Sequence, residues 1–176
     1  MDIEKAIEKA EEVYKKYNPG RVTPFPFESV EEDIPNLRIA FSDELPSRIS
    51  GAIAYDKEKE RFIILINPTK SKTRQYFTLA HELGHYMLHA EHLKQEELIV
   101  DHDNIWGEGN ILYREDNGVS RDMEIEANNF AASLIMPEDL VRKSWKALQD
   151  VDECADLFQV STLAMSIRLE RLRLTD

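Results

Sequence analysis

The sequence predicts one domain that mixes α-helices with a small β-sheet. Its 176 residues are enough to bury a core. Two stretches rich in β-branched and aromatic residues, "ISGAIAY" (49–55) and "RFIILIN" (61–67), flank a charged turn and therefore predict a pair of strands. Other segments place apolar residues at helical spacing. Because no repeat or flexible linker interrupts the chain, we expect a single domain over residues 1–176.

The N-terminal part predicts one helix followed by a loop. Apolar residues at helical spacing give an amphipathic first helix within residues 1–20, and Asn-Pro-Gly at 18–20 ends it. Residues 21–47 hold four prolines among acidic residues, so we expect connecting loop with one short helical turn. Further along, residues 110–114 are a candidate third strand that precedes a turn signal.

The other elements are predicted to be helices. After the second strand, Ser71 or Thr73 caps a helix that runs to about His89. A second long helix covers residues 123–136 and ends at Pro137. Shorter helices are predicted over Leu140–Leu148 and Glu153–Leu172, the latter within a helix-turn-helix-like segment (149–174) that we expect to pack within the domain.

Composition excludes several function classes. The 22 basic and 34 acidic residues give a net charge of −12, which opposes direct contact with nucleic acid or an anionic membrane. No apolar run approaches the roughly 20 residues of a membrane span. The single cysteine, Cys154, excludes an internal disulfide and suits core packing in a reducing compartment. We therefore expect a cytoplasmic protein.

The stretch "FTLAHELGHYMLH" (77–89) carries the strongest chemical signal. On a helix, His81 and His85 lie on one face and can present two imidazoles to one ion. Glu82 is rotated by about 100° from His81, so it suits contact with a water molecule at that ion better than ligation. This is the H-E-x-x-H pattern, in which two histidines bind zinc and the glutamate is the general base of a metalloprotease. Gly84, costly inside a helix, predicts close approach of another backbone.

A catalytic zinc needs a third protein ligand. Leu88 and Glu91 occupy the places where the metzincin pattern requires glycine and histidine, so that class is excluded. His89 is one turn beyond His85, but three ligands along a straight helix would span about 12 Å, so a supporting role is expected for His89. His92 and His102 are interpreted as surface or loop histidines.

A carboxylate from helix 123–136 is the better candidate for the third ligand. Glu124 and Glu126 are the choices. Glu126 borders the buried stripe that begins at Ala127, whereas Glu124 precedes the part of the helix that packing fixes. Small residues at Ala127 and Ala131 would let two helices approach closely. We therefore prefer Glu126.

The two motifs together resemble a known family. "TRQYFTLAHELGHYMLH" and "EIEANNFAASLIMP" resemble the ImmA/IrrE metallopeptidases, bacterial zinc proteins that regulate mobile elements and stress responses. The resemblance covers about 120 residues from near Ile49, and the second motif is the more specific. It implies His81, His85 and Glu126 as ligands of Zn²⁺ and Glu82 as catalytic base. It also implies a zincin-like α+β fold, with a small, mainly antiparallel sheet packed on helices that include the H-E-x-x-H helix.

The family's activity implies a protein substrate. Members are thought to cleave or inactivate helix-turn-helix repressors of the Xre type, often encoded by an adjacent gene. The expected function is therefore a zinc-dependent endopeptidase that relieves repression of mobile-element or stress genes. An oxyanion-stabilising donor is also needed, and the candidates are Tyr86, Tyr113, Arg114 and Arg121.

Two other functions remain open from the sequence. The C-terminal segment, with Arg168, Arg171 and Arg173, has the pattern of a DNA-binding helix-turn-helix, although the net charge opposes this. The second alternative is an interaction module that inhibits a repressor by contact without cutting it. A Glu82→Gln variant separates binding from hydrolysis.

Overall fold

A computed structural model describes residues 1–95, 99–102 and 120–175. Within these residues there are seven helices and four strands. In chain order they are α1 (Ile3–Tyr17), α2 (Glu28–Asp33), β1 (Leu37–Phe41), β2 (Ile49–Asp56), β3 (Arg61–Ile66), α3 (Lys72–Leu93), β4 (Ile99–His102), α4 (Arg121–Ile135), α5 (Glu138–Leu148), α6 (Val151–Phe158) and α7 (Thr162–Arg171). The predicted α+β architecture is confirmed.

The four described strands form one sheet in the order β1-β3-β2-β4. The pairs β2–β3 and β2–β4 are antiparallel, and β1 pairs with β3 in parallel. The predicted pair of strands and the mainly antiparallel sheet are confirmed.

The prediction for residues 21–47 is only partly right. The expected short helical turn is α2, but this region also contains β1, which we predicted as loop. Strand β1 has five residues and, among the four described strands, pairs only with β3. Its stability therefore comes from tertiary pairing, which the local pattern between prolines does not reveal. The candidate strand at 110–114 lies outside the described residues.

Helix α3 crosses the sheet and packs against β2. Ser71 is its N-cap, and the Ser71 hydroxyl accepts a hydrogen bond from the Arg74 amide, as predicted. A Cβ added at Gly51 of β2 would lie 2.5 Å from Cγ2 of Thr78 and 2.8 Å from the Leu65 carbonyl oxygen. Only glycine therefore lets the helix and the strand approach this closely.

Helices α1 and α4 pack on the other side of α3. Ser120 caps α4 and accepts from the Met123 amide, so helical geometry is fixed from Arg121 onward. The core combines sheet and helix residues. Its largest fully buried side chains include Phe62, Ile53, Ile64, Leu83, Phe130, Leu134 and Phe158.

The C-terminal helices α6 and α7 join the same core. Cys154 is fully buried there, in agreement with its predicted packing role. Ala164, Met165 and Leu169 of α7 are buried as well. Arg168 of the same helix donates to the carbonyl of Met136 at 3.0 Å, so this side chain turns inward. Among the described helices, none is both long and apolar enough to cross a membrane.

Candidate metal centre

Helix α3 brings the two predicted imidazoles together. His81 and His85 are one turn apart and almost fully buried, with 1% and 0% of their surface exposed. Their Nε2 atoms are 3.0 Å apart and their ring centroids 4.6 Å apart. The prediction that both rings face one point is confirmed in its geometry.

Helix α4 supplies a carboxylate to the same point. Glu124 Oε1 is 3.2 Å from His85 Nε2, and Glu124 Oε2 is 3.5 Å from His81 Nε2. Among the described residues, His81, His85 and Glu124 are the group whose ligand atoms converge, all within 4.8 Å of one another. Tetrahedral ligands placed at zinc bond lengths are about 3.3 Å apart. Separations of 3.0 to 3.5 Å therefore fit an ion of this kind.

The structure corrects the choice of Glu126 as third ligand. Its Oε1 accepts a hydrogen bond from the Asp2 amide, and its Oε2 is 3.7 Å from His89 Nε2. Residues two apart on a helix point about 200° apart, so Glu124 and Glu126 cannot serve the same site. The sequence predicts that Glu124 precedes the part of the helix that packing fixes. In fact the Ser120 cap places Glu124 inside the first turn of α4.

Close packing of α3 against α4 sets the distance between the ligands. A Cβ added at Gly84 would lie 3.1 Å from the Ala127 carbonyl oxygen, 3.2 Å from Ala127 Cα and 3.0 Å from Phe130 Cδ1. The predicted close approach of another backbone at Gly84 is thus confirmed. The missing side chain brings α4 near enough for Glu124 to reach the histidines.

Asn128 is a residue of this centre that the sequence reasoning missed. Its Oδ1 is 3.0 Å from His81 Nδ1. An acceptor at Nδ1 holds the proton on that nitrogen and leaves the Nε2 lone pair directed at Glu124 and His85. Asn128 follows Glu124 by four residues on one helix face, and this spacing is the signal that identifies both residues together.

The pKa shifts in the cluster favour the forms that bind a cation. Burial lowers the pKa of His85, an effect that the nearby Glu124 carboxylate opposes, so the imidazole is neutral at pH 7. Burial acts to raise the pKa of Glu124, but the two neighbouring histidines, His85 first, lower it by more. The pKa of Glu124 therefore lies below its usual range, and the group is a carboxylate.

The predicted base is in place on α3. Glu82 is fully buried, with 0% of its surface exposed, and it lies between the two histidines in the same turn. An acidic side chain buried to this extent is unusual unless it serves a charged or polar site. Its catalytic role stays a prediction.

His89 supports the centre without joining the ligand cluster. The helix is distorted at this residue, with φ −128° and ψ 17°, and its Nε2 lies 3.3 Å from the Met123 carbonyl oxygen of α4. Burial lowers the pKa of His89 to about 4, so the ring is neutral at pH 7. The helix was predicted to end near His89, but it continues past this distortion to Leu93. His92 is half-buried in the last turn of α3.

Two of the four candidates for an oxyanion donor, Tyr86 and Arg121, lie within the described residues. The Tyr86 hydroxyl donates to Asn36 Oδ1 at 3.3 Å, and Arg121 is exposed at the start of α4. Tyr113 and Arg114 lie outside the described residues. That one of these four residues stabilises the oxyanion stays a prediction.

Comparisons with known proteins give a family and a similar fold. A family model described as the IrrE N-terminal-like domain, peptidase M78, matches residues 45–170, a span that includes both α3 and α4. No curated protein matches the chain. A solved structure named as a Mycobacterium tuberculosis transcriptional regulator is similar, with a TM-score of 0.60 and 15% identity. The similarity covers 97% of this chain and 52% of that one, so the chain spans about half the length of that structure.

Proposed function

The chain belongs to the peptidase M78 family of IrrE N-terminal-like domains, and on that basis we propose that it is a zinc-dependent endopeptidase. The observation that carries the proposal is the convergence of His81, His85 and Glu124 at 3.0 to 3.5 Å. Two neutral imidazoles and one carboxylate form a ligand set that is common at catalytic zinc, and it leaves one coordination position open.

Each residue has a defined task in hydrolysis. A bound zinc ion supplies Lewis acidity that polarises a peptide carbonyl and acidifies a water molecule. His81, His85 and Glu124 would hold the ion, and Asn128 fixes the tautomer of His81. Glu82 accepts the proton of the attacking water and later gives it to the leaving amine. The burial of Glu82 keeps its carboxylate away from bulk water, which would compete for that proton.

The proposed substrate is a basic protein, in particular a helix-turn-helix repressor. Three features support this choice: the family resemblance, the net charge of −12, and the acidic first turns of α4 beside the centre. The name of the similar structure, a transcriptional regulator, points to the same biology. A reducing, cytoplasmic location would agree with both the single cysteine and such a substrate.

Direct binding of DNA is less well supported. In α7, Arg168 is directed to the Met136 carbonyl and Arg171 donates to Asn129 Oδ1 at 3.3 Å. These two cations therefore contact the protein itself, and no described observation favours a nucleic-acid surface.

A peptide library tests the peptidase proposal without knowledge of the substrate. The zinc-loaded chain is incubated with a mixture of unstructured peptides, and new termini are identified by mass spectrometry. We expect cleavage by the wild type that chelation abolishes and zinc restores. Cleavage that continues at the same rate after complete removal of the metal would contradict the proposal.

The repressor is tested separately. A purified helix-turn-helix repressor encoded beside this gene is mixed with the wild type or with Glu82→Gln, and its intact mass and DNA binding are measured. We expect the wild type to shorten the repressor and the variant only to bind it. Full relief of repression by Glu82→Gln would instead establish the interaction module.

A further inference from the structure

An open cavity lies on a different face of α4 from the metal centre. It measures about 690 Å³ and is lined mainly by α1, α4, α5 and α7. Asn129 and Ser133 of α4 line it, whereas Glu124 and Asn128 of the same helix contact the histidines. A volume of this size falls within the range of pockets that hold small organic ligands.

The cavity is basic, in contrast to the rest of this acidic chain. Five basic and three acidic residues line it. Each acidic residue is within ion-pair distance of a basic neighbour in the same wall, which leaves basic residues in excess. The pairs are Glu11 with Lys15 at 3.2 Å, Glu138 with Arg142 at 2.7 Å, and Asp139 with Arg21.

Arg168 is a cation of this wall that forms no contact ion pair with a described carboxylate, although the charge of Glu138 acts on it from a longer distance. Its Nε donates to the Met136 carbonyl oxygen at 3.0 Å, and it forms no ion pair within the part of the chain that the structure describes. Burial lowers its pKa to about 10, so the guanidinium is still charged at pH 7. Arg168 is half-buried, and even partial removal of a charge from water costs free energy unless an anion compensates it.

Two buried hydroxyl groups in the wall also lack partners. Ser133 is 5% exposed and Tyr14 is 4% exposed. Neither Ser133 Oγ nor the Tyr14 hydroxyl forms a hydrogen bond within the described ranges, and both residues line the cavity. Groups of this kind are normally satisfied in folded proteins, by protein, water or ligand.

We propose that this cavity binds a small organic anion, whose phosphate or carboxylate group pairs with Arg168 and accepts a hydrogen bond from Ser133. Guanidinium groups recognise both oxyanions by charge-assisted hydrogen bonds. The hydroxyl of Tyr14 and the apolar side chains of Ile7 and Leu172 provide contacts for the remainder of the ligand. This binding does not depend on the peptidase activity.

The test is calorimetric titration of the zinc-loaded chain with adenosine monophosphate and with citrate, with adenosine as the uncharged control. We expect at least one anion to bind and adenosine not to bind. Binding of adenosine monophosphate alone would indicate a phosphate ligand, and binding of citrate alone would indicate a carboxylate ligand. The absence of binding by both anions at millimolar concentration would overturn the proposal.

Three variants locate the bound anion. Arg168→Gln should weaken binding by about tenfold or more, because a charge-assisted hydrogen bond is lost. Ser133→Ala should weaken binding by several-fold while leaving the melting temperature of the free protein nearly unchanged, since that hydroxyl forms no described bond. Arg173→Gln removes an equal charge from an exposed residue outside the cavity and should bind like the wild type.

If Arg168→Gln does not fold, weaker anion binding by Ser133→Ala still tests whether the anion lies in this cavity. An anion held by the zinc centre would bind Ser133→Ala and Arg168→Gln normally and would be lost in Glu124→Gln. That result would contradict the proposal.

Discussion

Helices α3 and α4 meet at the candidate metal centre but contribute to it in different ways. Helix α3 carries His81, Glu82 and His85 within little more than one turn, and the two imidazoles converge through helical spacing alone. Helix α4 contributes Glu124 and Asn128, and these reach the histidines only because the two helices pack closely. The position of the histidines thus depends on local helical spacing, whereas the position of Glu124 and Asn128 depends on tertiary packing.

This difference determines what a substitution should do. A change to a polar side chain of the centre should alter its chemistry without moving it, whereas a change at the close α3–α4 contact at Gly84 should alter its geometry. The predictions below use both kinds of change, beginning with the largest expected effect.

Glu82→Gln should abolish peptide cleavage while zinc remains bound. The amide is similar in size but cannot accept the proton of the attacking water, so a loss of about 10² to 10⁴ in rate is expected. Peptide cleavage and zinc content are measured on the same preparation. Retention of more than a tenth of the wild-type rate would exclude Glu82 as the base.

Glu124→Gln should weaken zinc binding more strongly than Glu126→Gln. The first change removes a charged atom within 3.5 Å of both imidazoles, and the second changes a residue that contacts Asp2 and His89. We expect zinc affinity to fall by about 100-fold or more in Glu124→Gln, beyond the typical effect of an outer-shell change. Competition with a chromogenic chelator measures both variants. An equal loss of zinc affinity in the two variants would contradict the assignment of Glu124, and not Glu126, as the third ligand.

Asn128→Ala should reduce zinc affinity by about 10- to 100-fold, as is typical when the hydrogen-bond partner of a ligand histidine is lost. The change leaves His81 Nδ1 without its acceptor. Asn128→Asp keeps an oxygen acceptor of similar shape and is the matched control. An alanine variant that binds zinc like the aspartate variant would show that the tautomer of His81 is fixed by something else.

Gly84→Ala should push α4 away from α3 and destabilise the fold slightly. Overpacking costs about 1 to 3 kcal/mol, and the better helix propensity of alanine returns about 1 kcal/mol. We therefore expect a loss of about 1 kcal/mol in urea denaturation, together with weaker zinc binding. Gly20→Ala is the control, because its added Cβ would meet only Val22 Cγ1 at 3.8 Å. A Gly84→Ala variant with full zinc affinity would show that this close contact does not set the site.

The sequence predicts the features of α3 well and those that depend on packing between elements less well. The sequence of α3 alone predicts the histidine pair, a cap at Ser71 or Thr73, of which Ser71 is observed, and the need for close approach at Gly84. The identity of the α4 carboxylate depends on where a second helix begins and how it crosses the first. The same is true of β1, which pairs with β3 across about twenty intervening residues.

The sequence does contain a signal for Glu124 and Asn128, the two residues on α4 that the prediction missed. Glu124 and Asn128 are four residues apart, so they share a helix face, and an amide is a suitable partner for a ligand histidine. Burial patterns alone favoured Glu126, because they identify the face that enters the core and not the face that meets a polar cluster. A polar pair at helical spacing therefore indicates a helix face that meets a polar site, just as an apolar stripe indicates the face that enters the core.

The most direct measurement is a crystal structure of the zinc-loaded chain with anomalous data collected at the zinc absorption edge. We predict one strong peak within about 2.0 to 2.3 Å of His81 Nε2, His85 Nε2 and a Glu124 carboxylate oxygen. A peak bound by Glu126, or the absence of a peak between the two histidines, would contradict this account.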